Sequence, residues 1–284
     1  MRIDAVLGEG QRRLWHRYGA GAEARYLLAQ VLGVGQSYLL AHGDETCAAA
    51  ALVTYHTYLD RAEQGEPIPY ILGQAPFFDL HLKVSPAVLI PRPETEQLVE
   101  IVLRWLRQQR WPTPQLVDVG TGSGCIAITL ARQLPQAYID AVDVSAAALE
   151  LAKENAHNAG VHHQISFYQG HLLTPITTPP HLIVANLPYI GDDEWTLVDD
   201  GVKSYEPALA LRGGADGLDL IRPLLAQAQE KLQPGGAIFL EIGWQQGAAA
   251  LLLAQHYFPH ALIRCDPDYA GKDRFIVILT KGIY

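Results

Sequence analysis

Hydrophobic and polar positions follow three rhythms along this chain. Residues 1 to 65 are rich in Ala, Leu, Gln, Glu and Arg and contain no proline. Leu27, Leu28, Val31 and Leu32 fall on one face at helical spacing, and Gly33 and Gly35 supply a stop. Ala50 to Gln64 predicts another helix. A small all-α domain over 1–65 is therefore expected. Residues 66–93 differ, because Pro67, Pro69, Pro76, Pro86, Pro91 and Pro93 break helices. Between them Phe77 to Val84 alternates as a strand does, and Val88 to Ile90 could pair with it, which predicts a β-hairpin linker. Its end, Ile90-Pro-Arg-Pro-Glu-Thr-Glu96, leads into a helix predicted over Gln97 to Arg107, with Glu94 or Thr95 as its cap.

Short apolar runs and helical stretches then alternate through a third domain, 94–284. Strands are expected at Leu116–Val119, Tyr138–Val142, Ile165–Tyr168, Leu182–Ala185 and Ala237–Glu241, with helices between them. Such alternation predicts a mostly parallel sheet with helices on both faces. Ala261–Arg264 and Phe275–Leu279 lack an intervening helix, so the last two of seven strands should be antiparallel. A polar insertion, Gly191 to Gly214, interrupts the pattern after the fourth strand.

Composition narrows the partners. The chain has 284 residues, 49% hydrophobic and 18% charged, which is the balance of a globular protein. Its net charge is -9, and Arg12, Arg13 and Arg17 form the one small basic group, so a protein or small-molecule substrate is expected rather than a stable nucleic-acid partner. No apolar run reaches the ~18 residues of a membrane helix, and the N-terminus lacks an apolar signal core. A cytoplasmic location without membrane association is expected. Cys47, Cys125 and Cys265 are widely spaced and read as buried thiols, so no metal is expected.

Candidate chemistry sits at strand ends. Asp118-Val-Gly-Thr-Gly-Ser-Gly124 follows the first strand and opens a helix. Gly120, Gly122 and Gly124 allow a sharp turn and close approach to a ligand, with Thr121 and Ser123 between them. The loop is shorter than the dinucleotide fingerprint G-x-G-x-x-G. Asp143 ends the next strand, where a carboxylate can accept from both ribose hydroxyls. A nucleoside cofactor without a pyrophosphate, S-adenosyl-L-methionine, suits this loop better than a nicotinamide dinucleotide. Asp118 could bind the cofactor's amino group or cap neighbouring backbone. After the fourth strand comes Asn186-Leu-Pro-Tyr189. A planar amide nitrogen is a poor nucleophile. Asn186 can accept one of its N–H hydrogens by side chain and Leu187 the other by backbone carbonyl, Pro188 stiffens the turn, and Tyr189 can pack on the amide. Positioning of this kind supplies up to about 7–11 kcal/mol.

Together, the glycine loop, Asp143 and Asn186-Leu-Pro-Tyr189 resemble class I S-adenosyl-L-methionine methyltransferases, with a Rossmann-like seven-stranded sheet. Pro69-Tyr-Ile-Leu-Gly73, Leu89-Ile-Pro-Arg-Pro-Glu-Thr-Glu96, Tyr205-Glu-Pro-Ala-Leu-Ala-Leu211, Gly213-Gly-Ala-Asp-Gly217 and Glu241-Ile-Gly243 resemble the HemK/PrmC family. That resemblance implies methyl transfer to the glutamine side-chain nitrogen in the Gly-Gly-Gln motif of peptide-chain release factors. It places Arg92, Glu94 and Thr95 over the cofactor. Arg92 could pair with Glu94, Glu96 or a substrate carboxylate. The family usually has Pro where Leu187 stands and an acid where His171 stands. His171 could accept from the adenine amino group or lie in a surface loop, or adenine could be held by backbone and apolar contacts near Leu172. Glu241, ending the fifth strand, needs a partner if buried, and a bond to a loop is expected. Two other readings are a nucleic-acid N-methyltransferase acting on adenine, which shares Asn-Leu-Pro-Tyr, and a cofactor-binding scaffold without catalysis, favoured only by Leu187.

Overall fold

The computed structural model describes residues 1–19 and 21–282. It divides into two compact units: Met1–Gln74 with Asp200–Tyr205, and Ala75–Asp199 with Glu206–Tyr284. The first unit is helical, built from α1 (Ile3–Tyr18), α2 (Ala22–Leu32), α3 (Gln36–Ala41), α4 (Ala49–Glu63) and α5 (Ile68–Leu72). Helix α5 lies where its two prolines predicted no helix. Pro67 is its N-cap and Pro69 falls in the first turn, where a missing N–H breaks no intrahelical bond. The core centres on Tyr55, fully buried, whose hydroxyl donates to the Ala24 carbonyl at 3.1 Å. Gly10 of α1 makes room for it: a Cβ there would lie 2.0 Å from the Tyr55 hydroxyl oxygen.

In the second unit, β1 (Gln74–Phe77) pairs with β2 (Leu80–Lys83) to form the hairpin. The expected pairing of Phe77–Val84 with Val88–Ile90 is therefore displaced. Phe78 takes a left-handed φ of 51°, so the chain reverses at Phe78 and Asp79. Its N–H donates to Glu96 at 2.6 Å, and Val88 and Ile90 are buried outside any strand. Helix α6 (Pro93–Leu106) follows. It begins earlier than expected, at Pro93, and neither Glu94 nor Thr95 caps it: Arg92 is the N-cap and makes no side-chain cap bond. Proline at the first helical position presets φ and has no N–H to satisfy.

The remaining elements alternate: β3 (Gln115–Val119), α7 (Cys125–Gln133), β4 (Tyr138–Asp143), α8 (Ala146–Asn158), β5 (Ile165–Gln169) and β6 (Leu182–Asn186). The insertion then carries β7 (Ile190–Gly191), α9 (Asp192–Trp195), α10 (Asp200–Tyr205), which belongs to the first unit, and β8 (Arg212–Gly214), of which β7 and β8 pair in parallel. Last come α11 (Ile221–Lys231), β9 (Ala237–Glu241), α12 (Gly247–Tyr257), β10 (Leu262–Pro267) and β11 (Asp273–Leu279). Seven strands form one sheet in the order β10-β11-β9-β6-β3-β4-β5. The β11 strand is antiparallel to both β10 and β9, and the other pairings are parallel, as the pattern predicted.

Each central strand feeds two cores, because successive side chains point to opposite faces. Leu116, Val184, Phe239 and Val277 pack with α6 and α7. Val117, Ile183, Ile238 and Ile276 pack with α11 and α12. Strand order reverses at β3, since β4 lies on one side of it and β6 on the other. A crevice at the carboxyl ends of such neighbours is where open α/β sheets bind ligands.

Gly10→Ala should lower the stability of the helical unit. Its gain in helix propensity is about 1 kcal/mol at most, whereas overpacking costs about 1–3 kcal/mol and a displaced Tyr55 hydroxyl loses a buried bond. A lower midpoint in urea denaturation is expected, and an unchanged midpoint would refute the packing argument.

Candidate functional site

A cavity of about 520 Å³ opens at the carboxyl ends of β3, β4 and β6. Its lining includes Arg92, Thr95, Gly120, Thr121, Gly122, Ser123, Asp143, His171, Leu172, Asn186, Leu187 and Pro188. Asp118, Gly124, Glu94 and Tyr189 lie outside the lining. Most of the surface is apolar, with Val119, Val142 and Ile126 below and Pro91, Pro207 and Leu209 around. Few polar groups set in apolar walls is the usual make-up of a small-molecule site.

The glycine loop hangs on β4. Gly120 and Thr121 both donate backbone N–H bonds to the Val142 carbonyl, at 2.8 and 3.0 Å. The Asp143 carboxylate accepts from Gly122 N–H through one oxygen and Ser145 N–H through the other, both at 2.9 Å. Each oxygen keeps a further lone pair at the cavity wall. Gly120, at φ 75°, is also where the loop passes closest to the next segment: a Cβ would sit 3.0 Å from the Leu187 side chain. Asn155 of α8, 2% exposed, donates to the Ser123 carbonyl at 2.9 Å and exchanges two bonds with the Lys83 backbone. One amide thus fixes both the loop and the hairpin.

Asp118 shares strand parity with Leu116, which turns it toward α7 and away from the cavity. Its Oδ2 accepts from the Thr121 hydroxyl at 2.7 Å and from Ala127 N–H at 3.2 Å. Burial pushes its pKa up to about 7, against those two bonds. On the far wall, Leu172 is buried with a left-handed φ of 54°, a strained backbone for a branched residue. His171 beside it is exposed.

The β6 end is built by register. Asn186 and Glu241 are direct neighbours across β6 and β9. Both share the parity of Val184 and Phe239, so both face α6. The first turn of α6 places Thr95 between them. The Thr95 hydroxyl donates to Glu241 Oε2 at 2.8 Å, and Asn186 Nδ2 donates to Thr95 Oγ1 at 2.9 Å. The Tyr189 hydroxyl faces the other oxygen of Glu241 at 3.4 Å, so the tyrosine ring is turned to the carboxylate. Glu241 is 1% exposed, and burial raises its pKa to about 7. Burial likewise raises that of the Tyr189 hydroxyl, and Glu241 adds to the shift.

Several supports carry no local sequence signal. Arg92 pairs with Glu206 at 2.5 Å, rather than with its neighbours Glu94 or Glu96. Glu206 is 4% exposed and also accepts from Ile90 N–H at 3.3 Å, so the buried carboxylate needs that guanidinium. Gln246, 7% exposed, accepts from Gly243 N–H at 2.8 Å and donates to the carbonyls of Tyr189 and Asp216 at 2.7 and 3.1 Å. The Gly213–Gly217 motif acts by close approach. A Cβ at Gly213 would stand 2.6 Å from the Pro188 carbonyl oxygen, and one at Gly217 would stand 2.1 Å from that of Tyr189. No sequence pattern points to Gln246, which is the N-cap of α12 but spends its side chain on these distant carbonyls rather than on a cap bond.

Sheet order and cavity together define a class I methyltransferase. A methyltransferase from Pyrococcus furiosus has the same fold, with a TM-score of 0.53 and 17% identity, over 72% of this chain and 91% of that one. Residues 5–73 match the PrmC N-terminal domain and residues 95–201 the methyltransferase small domain. The release factor glutamine methyltransferase of Moorella thermoacetica is 41% identical, over 96% of this chain and 97% of its own. That of Koribacter versatilis is 42% identical, over 89% of each chain. The chain belongs to the release factor glutamine methyltransferase family.

Gln246→Ala should loosen the turn after β6. It leaves the Gly243 N–H and the Tyr189 carbonyl without their partner, at about 1–3 kcal/mol for each buried group left unpaired. Hydrogen exchange at Gly243 should speed up and the denaturation midpoint should fall. Unchanged exchange there would show that water replaces the side chain at no cost.

Proposed function

We propose that this protein transfers a methyl group from S-adenosyl-L-methionine to the glutamine side-chain nitrogen in the Gly-Gly-Gln motif of peptide-chain release factors, with Asn186 and Leu187 as the grip on that amide. Family membership supports the reaction and the substrate. One observation supports the grip most: the Asn186 Nδ2 is tied back to Thr95, so Oδ1 is the atom left to accept from a substrate. Leu187 is 5% exposed at the cavity wall, and its carbonyl serves as well as that of the proline usual at this position.

The residues present fit the cofactor. Asp143 keeps free lone pairs for two ribose hydroxyls, and the apolar wall around Leu172 suits a purine. When bound, S-adenosyl-L-methionine supplies a methyl group on a positively charged sulfur. Asn186 Oδ1 and the Leu187 carbonyl would hold the two hydrogens of the glutamine amide, leaving its nitrogen facing that methyl. Held so, the nitrogen would be in line to take that methyl, and the residues' part would be to aim it. The extra proton on nitrogen is acidic and leaves to water, so no strong base is needed. Arg92, held by Glu206, keeps the Pro91 to Thr95 segment along the cavity rim.

A net charge of -9 supports a protein substrate over a nucleic acid, and the family match does not favour the adenine alternative. The helical unit, matched over residues 5–73, is the natural source of surface for recognising the release factor, since one glutamine offers too little. Release factors work with ribosomes, so the proposed reaction belongs in the cytoplasm; among the described residues no helix is long and apolar enough to cross a membrane.

Mass spectrometry of release factor incubated with enzyme and cofactor should locate one added methyl on the Gly-Gly-Gln glutamine. A methyl elsewhere, or on RNA alone, would overturn the assignment. Asn186→Ala should cut transfer by about a hundredfold or more with cofactor affinity kept. Asp143→Ala should instead weaken cofactor binding at least about tenfold, on the scale of one lost pair of charge-assisted bonds. Calorimetric titration with S-adenosyl-L-methionine distinguishes the two, and equal affinity in the Asp143 variant would remove it from the cofactor site.

A further inference from the structure

The Asn186 side chain has two ends of nearly equal shape and opposite function. One is an acceptor and the other a double donor. A glutamine amide nitrogen needs the acceptor. Presented the other way round, Asn186 would set N–H against N–H and lose the bond. Something must therefore fix the amide's orientation, and packing alone distinguishes the two ends poorly.

The structure supplies that device in a chain of three side chains from three elements. Glu241 ends β9, Thr95 lies in the first turn of α6, and Asn186 ends β6. A threonine hydroxyl has one hydrogen. Here it is committed to Glu241 Oε2 at 2.8 Å, so toward Asn186 the oxygen can only accept, and Asn186 Nδ2 is the donor at 2.9 Å. We propose that Glu241, acting through Thr95, sets which end of the Asn186 amide faces the substrate, making both of them positioning residues for the methyl transfer. This rests on the reading of Asn186 as the substrate grip.

The logic depends on charge. An ionised Glu241 can only accept, which forces the order Asn186 to Thr95 to Glu241. A protonated Glu241 can donate to Thr95, which then turns its own hydrogen toward Asn186 and favours the reversed amide. The groups acting on Glu241 come from every side. Glu94 on α6 opposes its ionisation and Arg274 on β11 favours it, while the Thr95 and Tyr189 hydroxyls bond to the carboxylate and Cys125 at the start of α7 feels its charge. Burial outweighs these and moves the titration up to about 7. The productive order is present above that pH and lost below it.

The test uses enzyme preloaded with S-adenosyl-L-methionine and mixed with release factor, so that a single turnover is read from pH 5.5 to 9, roughly the range in which such a group titrates. In the unaltered protein the rate should rise with pH through a single titration near neutrality. Thr95→Val, which keeps the shape and removes the hydroxyl, should lower the rate about a hundredfold and abolish that rise, with cofactor affinity unchanged. Thr95→Ser should restore both the rate and the rise. Glu241→Gln, a second variant that cannot ionise, should give a rate independent of pH over the same range. Asp118, which also titrates near neutrality, would show instead in cofactor affinity, because it holds the glycine loop.

A Thr95→Val enzyme with the unaltered rate, or with the same rise in rate with pH, overturns the proposal. So does a fall in rate matched by an equal fall in cofactor affinity, which would place Thr95 with the cofactor. Asn186→Ala separates the two layers: if it transfers normally, the grip itself is wrong, whereas if it is inactive and Thr95→Val is normal, only the orienting role fails.

Discussion

A carboxylate buried at the end of a sheet strand has to be met by donors, and Glu241 is met by Thr95 and Tyr189. That one requirement draws together parts of the chain far apart in sequence. It brings the first turn of α6 down onto the sheet and turns the Tyr189 ring inward. It also leaves the Thr95 oxygen with nothing to offer but a lone pair. Asn186 is held by that lone pair. The orientation of the Asn186 amide at the cavity wall thus follows from a buried carboxylate two side chains away in a bonded chain.

Around it, the site is assembled by strand register and by backbone contacts too close for any side chain. Parallel pairing puts Asn186 beside Glu241, and strand reversal at β3 opens the crevice in front of them. The turn through Pro188 and Tyr189 is braced from behind by Gly213, Gly217 and Gln246. On the other wall, Asp143 and the Val142 carbonyl carry the glycine loop, and Asn155 fastens the loop to the hairpin. The cavity is therefore braced on both its Asp143 wall and its Asn186 wall. Leu187 in place of proline changes one φ restraint in a turn that is otherwise clamped at both ends.

Much of this was legible in the sequence, for a physical reason. Strands buried on both faces read as apolar runs, and the loop and Asp143 follow their strands directly, so local pattern reveals them. All seven strands and the antiparallel pair at the end emerged that way. What escaped was contact between distant residues. Thr95 reads locally as a helix cap, yet Pro93 starts the helix two residues sooner and frees Thr95 for Glu241, 146 positions away. Arg92 reads as a partner for its acidic neighbours, yet a buried Glu206 takes it. The hairpin lay a few residues earlier than alternation suggested, because Phe78 accepts a left-handed turn that β-pattern rules do not anticipate. In the insertion, parallel pairing of β7 with β8 involves too few residues for periodicity to show.

On the proposed reading, Asn186 meets the substrate with its side-chain oxygen and Leu187 with its backbone carbonyl. A crystal structure of the enzyme with S-adenosylhomocysteine and a release factor bearing the Gly-Gly-Gln loop tests this most directly. The glutamine side-chain nitrogen should lie within about 3 Å of both Asn186 Oδ1 and the Leu187 oxygen, with Asn186 Nδ2 still on Thr95. A glutamine held through its oxygen by Asn186 Nδ2, or a nitrogen bound by neither group, would contradict it.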